Sequence, residues 1–110
     1  MMVRFAEAEQ HVAGVDLAEL EPLTVLLVWT WHSLYRIVVV GGSEVLVQGG
    51  PLFSELTRAH LEGASAGGHV VKAGWIGVGH LMALRISGQV IVTSPVVAVS
   101  TQGRGMPVVH

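Results

Sequence analysis

From Gly67 to Ser100 the chain reads GGHVVKAGWIGVGHLMALRISGQVIVTSPVVAVS, and this apolar alternation with two turn signals constrains the fold more than any other stretch. Successive side chains of a strand point to opposite faces. Ile76, Val78, His80, Met82, Leu84 and Ile86 therefore share one face, predicted to line a core, with Trp75, Gly77, Gly79, Leu81, Ala83 and Arg85 on the other. Ser87-Gly88 stands between Arg85-Ile86 and Gln89-Val90-Ile91-Val92 in the manner of a two-residue hairpin turn, where glycine accepts positive φ. Ser94-Pro95 marks the next break, because proline donates no ladder hydrogen bond, and Val96 to Ser100 is predicted as a last short strand.

Upstream, residues 1–22 read as an N-terminal arm, partly helical or flexible, in which Asp16-Leu17-Ala18-Glu19 has the capping-box pattern and Pro22 limits any helix to a turn or two. Thr24 to Trp31 and Leu34 to Val40 are rich in β-formers, apolar on both faces, with a kink expected at His32-Ser33. Gly41-Gly42-Ser43 is a turn returning Glu44 to Gln48 antiparallel to Ile37 to Val40, and Gly49-Gly50-Pro51 ends that strand. Leu52, Phe53, Leu56 and Ala59 have helical spacing while Thr57, Ala59 and Leu61 alternate; the expectation is a loop or single turn through Leu56, then a strand from Thr57 to Gly63. Residues 63–68, GASAGG, read as a flexible connection and residues 101–110 as a tail.

Short strands with Gly and Pro turns predict an all-β domain over residues 23–100: a small SH3-like barrel of about six antiparallel strands, with a small β-sandwich as the alternative. The run from Leu23 to Val40 does not read as a membrane span, since Arg36 and His32 interrupt it, and the acidic N-terminus does not read as a secretion signal, so cytoplasmic residence is expected.

Composition bears on partners. Hydrophobic residues make up 51% of the 110 and charged residues 13%, more greasy surface than a domain of this size can hide alone. A homo-oligomer is expected, with Val38, Val39, Val40, Val96, Val97 and Val99 as its interface, strand edges at Val38 to Val40 and Val96 to Ser100, and a further protein partner as a second option. The formal net charge of -2 gives no footprint for duplex nucleic acid.

Four segments, Ser33-Leu34-Tyr35-Arg36, Val47-Gln48-Gly49-Gly50, Gly74-Trp75-Ile76-Gly77-Val78-Gly79 and Thr93-Ser94-Pro95-Val96, together resemble a pattern of short bacterial β-rich proteins of uncharacterised function. The resemblance spans residues 33–99 and leaves 1–31 unmatched. It implies no activity, cofactor or catalytic residue, and marks Gly49, Gly50, Gly77 and Gly79 as positions of backbone geometry.

Chemistry-bearing groups are few. There is no cysteine, and GASAGGH lacks the Gly-Lys-Ser/Thr ending of a phosphate-cradling loop. The histidines are the remaining reactive groups: His60 and Glu62 share a strand face, and His69 and His80 would approach them if adjacent strands paired, the basis for a His-dependent hydrolase or metalloprotein as the weakest reading. No ligand spacing of a metal motif occurs, so neither metal nor cofactor is expected. Arg36, Arg58, Lys72 and Arg85 around Trp75 would serve a single-stranded nucleic-acid or small-ligand barrel. The leading expectation is a non-enzymatic, self-associating β-barrel module.

Overall fold

The computed structural model describes residues 10–66 and 69–104, and within them the backbone is mostly extended. The arm expected at residues 1–9, the tail at 105–110 and Gly67-Gly68 of the expected connection lie outside the described residues. The strands are β1 (Gln10–Val12), β2 (Gly14–Asp16), β3 (Thr24–Thr30), β4 (Leu34–Gly41), β5 (Glu44–Gly49) and β6 (Phe53–Ala66). They continue with β7 (His69–Ala73), β8 (Trp75–Gly77), β9 (Leu81–Ile86), β10 (Gln89–Val92) and β11 (Val96–Arg104). The fold is all-β and antiparallel, and no helix among the described residues is long and apolar enough to cross a membrane.

Among the described residues nine strands form one sheet in the order β1-β11-β3-β4-β5-β6-β9-β10, with β7 beside β6, while β2 and β8 form a separate pair. The order ends at β1 and β10 and, among the described residues, no hydrogen-bonded ladder joins them, so the sheet is not closed. It curls strongly nonetheless. Gly79 N–H donates to the Val96 carbonyl and Val96 N–H to the His80 carbonyl, carrying the start of β11 to the segment just before β9.

Burial follows the two-residue period. In β4, Tyr35, Ile37 and Val39 are buried, and in β5 Val45 and Val47, each opposite its core partner in the register Ile37↔Val47 and Val39↔Val45. With Leu26, Val28, Leu61, Ile76, Met82, Leu84 and Val99 they form one continuous core. The turn after β5 is fixed by Gly49, at φ 128, where a Cβ would collide with the Leu34 carbonyl oxygen.

Several expectations give way to non-local pairing. Residues 10–22, expected as a weakly helical arm, form β1 against β11, β2 against β8, and one 3-10 turn over Leu17–Glu19, which Asp16 caps by accepting from Ala18 N–H at 3.0 Å. Phe53 to Leu56, expected as a loop or single turn, are already strand: β6 runs unbroken over Phe53–Ala66, because β5 supports its first half and β9 and β7 its second. The face from Ile76 to Ile86 is split into β8 and β9 by a turn where His80 N–H donates to the Gly77 carbonyl, which leaves Val78 exposed. Residues 101–104, expected in the tail, extend β11. The Ser87-Gly88 hairpin is present as expected, with φ of 52 and 83 and Ile86 opposite Gln89.

Candidate functional site

Two side-chain clusters gather the polar residues singled out above. The first is a ladder across β5, β6 and β9, built because the register places Glu44 opposite His60 and His60 opposite Arg85. Arg58 Nε lies 3.3 Å from Glu44 Oε1, His60 Nδ1 lies 3.5 Å from Glu44 Oε2, and His60 Nε2 lies 3.8 Å from Glu62 Oε2. Arg85 Nε closes the row by donating to Glu62 Oε2 at 2.8 Å. That hydrogen bond, more than the Coulombic attraction accompanying it, holds the Glu62 carboxyl below the usual carboxylate range and raises Arg85. Each arginine of the row already faces a carboxylate, Arg58 that of Glu44 and Arg85 that of Glu62, so the two offer little uncompensated charge to a phosphate. Surface pairs of this kind add little stability.

The second cluster surrounds Trp75. Its indole lies across the backbone of the Gly14↔Gly77 pair: a Cβ at Gly14 would collide with Trp75 Cζ2, and one at Gly77 with Cζ3. Only glycines leave that bed open. Lys72 Nζ stands 4.6 Å from the ring centroid, within cation–π range, and the His80 ring meets the indole edge-on at 5.8 Å. Among the described residues His80 Nδ1 is buried without a hydrogen-bond partner, as is Ser100 Oγ.

The five basic and aromatic candidates are thus divided among three places. Lys72 and Trp75 are together, Arg58 and Arg85 belong to the ladder, and Arg36 stands on the outer face of β4 between Leu27 and Gln48 with no ion pair among the described residues. Of the histidines, His60 and Glu62 are neighbours, but His80 packs on Trp75 and His69 lies on β7 opposite Ala66. Among the described residues no three His, Asp or Glu side chains are arranged to hold a metal ion.

The expected apolar interface is corrected by burial. Val39, Val96 and Val99 lie inside the chain's own core, leaving Val38, Val40 and Val97 to face outwards. Nor is Val38 to Val40 a strand edge, because β4 lies between β3 and β5; in β11, Val99 and Ser100 lie between β1 and β3, and Val96 is bonded to Gly79 and His80 as well as paired with β3. The edge that sequence reasoning passed over is β10, whose Val90 and Val92 are each 47% exposed. Its signal was available: four residues without charge after a tight turn. Glu44 and Gly14 were also missed, since both acquire their roles only through cross-strand register.

Comparison with protein-family models, with curated proteins and with solved structures finds no match to this chain.

Proposed function

We propose that this chain is a non-enzymatic, self-associating β module that acts in assembly or partner binding. The observation that carries the reading is β10, an edge strand with no charged residue that exposes Val90 and Val92. Unpaired edges of this kind are templates for another strand, and soluble proteins usually blunt them with lysine, proline or a bulge. Val70 and Val71 on the exposed strand β7, and Val38, Val40 and Val97 on the outer face, add apolar surface of the same character.

The curl that brings β11 to His80 supports an SH3-like barrel with an open seam as the architecture. Cytoplasmic residence and kinship with the short bacterial β-rich proteins whose pattern the chain resembles belong to the same reading. Sedimentation equilibrium across the micromolar range tests it: a rising average mass is expected, and a monomer throughout overturns it.

A second reading, binding of single-stranded nucleic acid or a small ligand, draws on Lys72 above Trp75 and on Arg36, which has no ion pair among the described residues. Its nucleic-acid version requires oligonucleotide binding that weakens steeply with salt. Absence of such binding at low salt removes that version.

A further inference from the structure

Resting on the self-association reading, we infer that β10 pairs antiparallel with β10 of a second copy about a two-fold axis passing at Ile91, joining two sheets into one.

Only some backbone groups of β10 are engaged by β9. A two-residue hairpin closes on a hydrogen-bonded pair, here Ile86↔Gln89, and hydrogen-bonded and non-hydrogen-bonded pairs then alternate along the ladder. Gln89 and Ile91 therefore turn their N–H and C=O groups towards β9, and Thr93 continues the series by donating from N to the Met82 carbonyl at 2.9 Å. Val90 and Val92 turn theirs away from β9, to a side where no strand stands among the described residues.

A two-fold centred at Ile91 sets Val90 of each copy opposite Val92 of the other. Both are then hydrogen-bonded pairs, and every outward-pointing group of Val90 and Val92 finds a partner. Centring on Val90 or Val92 instead leaves one of the two valines opposite a residue beyond the strand. The side chains agree with this register. Val90 and Val92 lie on one face, across from Arg85 and Ala83, so they meet as β-branched cross-strand pairs. Ile91, which packs against the core, meets its own copy on the other face and continues the buried layer.

Charge permits the approach. The nearest ionic group is Arg85, already held by Glu62, and the row through Arg85 and Val90 continues in the second copy to Val92 and Ala83, so the guanidinium groups are not opposed. Edge β7 is the poorer candidate, because adjacent Val70 and Val71 point to opposite faces and Lys72 follows them. So short an edge buries far less than the roughly 1,200 Å² typical of a stable specific interface, so the dimer is concentration-dependent.

The test uses the full chain, whose lack of cysteine makes a single introduced thiol unambiguous. Ile91→Cys places two thiols at a non-hydrogen-bonded pair, where Cα atoms stand about 4.5 Å apart, within disulfide range. Mild oxidation is expected to give a covalent dimer several-fold faster than for Val71→Cys on β7. Val92→Pro removes an outward N–H without touching the β9 ladder, and Val90→Lys adds a charge to the edge; both are expected to sediment as monomers where the unsubstituted chain self-associates. Should Val92→Pro fold poorly, Val90→Lys and the cross-linking rates still decide. Self-association that survives both edge variants, with Ile91→Cys cross-linking no faster than Val71→Cys, overturns this register while leaving the broader reading intact; a monomeric unsubstituted chain overturns both.

Discussion

The β4–β5 and β9–β10 hairpins are built alike and placed differently. Each is a pair of short antiparallel strands on a tight turn, one carrying Val38-Val39-Val40 and Val45-Leu46-Val47, the other Val90-Ile91-Val92. In the first, Val39, Val45 and Val47 are fully buried and both strands have neighbours on either side; in the second, Val90 and Val92 face water and β10 has, among the described residues, a neighbour on one side only. Valine in a strand is thus neither core nor interface by composition. Its place in the strand order decides, and that order is set by pairings far apart in sequence.

Substitution should expose the difference most sharply in the aliphatic residues. Ile37→Ala, at a site with 0% exposure, is expected to cost about 2–5 kcal/mol in denaturant unfolding, whereas Val90→Ala on the edge should stay within about 0.5 kcal/mol. Equal costs would break the comparison.

The turns offer the next test. Gly49→Ala forces a Cβ against the Leu34 carbonyl at positive φ and should lose about 2 kcal/mol or more, while Gly88→Asn, with open space around it and a residue that tolerates positive φ, should lose under about 1 kcal/mol. A thermal shift larger for Gly88→Asn would contradict this.

Thr93 shows where the outer hairpin is nevertheless anchored. Its hydroxyl accepts from Met82 N–H at 3.1 Å and donates to the Ser94 carbonyl at 2.7 Å, in a buried position. Thr93→Val leaves the Met82 donor unsatisfied and is expected to cost about 1–3 kcal/mol, with faster amide exchange along β9.

The smallest effect belongs to the ladder between the hairpins. Because Arg85 holds the Glu62 carboxyl below its ordinary value, the pair's contribution is present above the usual carboxylate range and is lost as pH falls through the lowered folded value. Stability of the unsubstituted chain should converge on that of Glu62→Gln under acid conditions, and stay slightly higher at neutral pH. A difference that persists undiminished in acid assigns the stabilisation to another cause.

Local chemistry made part of this legible. Ser87-Gly88 identifies its turn because a two-residue connection leaves few backbone choices, Gly41-Gly42-Ser43 marks its turn one residue too wide since Gly41 still pairs with Glu44, and the alternation of Leu81 to Ile86 identifies a face because both neighbours of β9 support it. What stayed hidden is short or shared. Strands β1 and β2 are three residues each and owe their existence to β11 and β8, which no window around them contains. Strand β6 looked like two segments because different partners back its two halves. The same applies to the clusters: Trp75 could be suspected from its type, but its glycine bed at Gly14 comes from a strand some sixty residues earlier.

Strand β11 lies between β1 and β3, so the last described strand is laid down between two of the earliest. During synthesis, β3, β4 and β5 can pair as soon as they leave the ribosome, but among the described residues β1 has no partner until β11 emerges. The nascent chain therefore exposes the β3 flank throughout the making of β4 to β10, and that side of the sheet is finished only when β11 slides in.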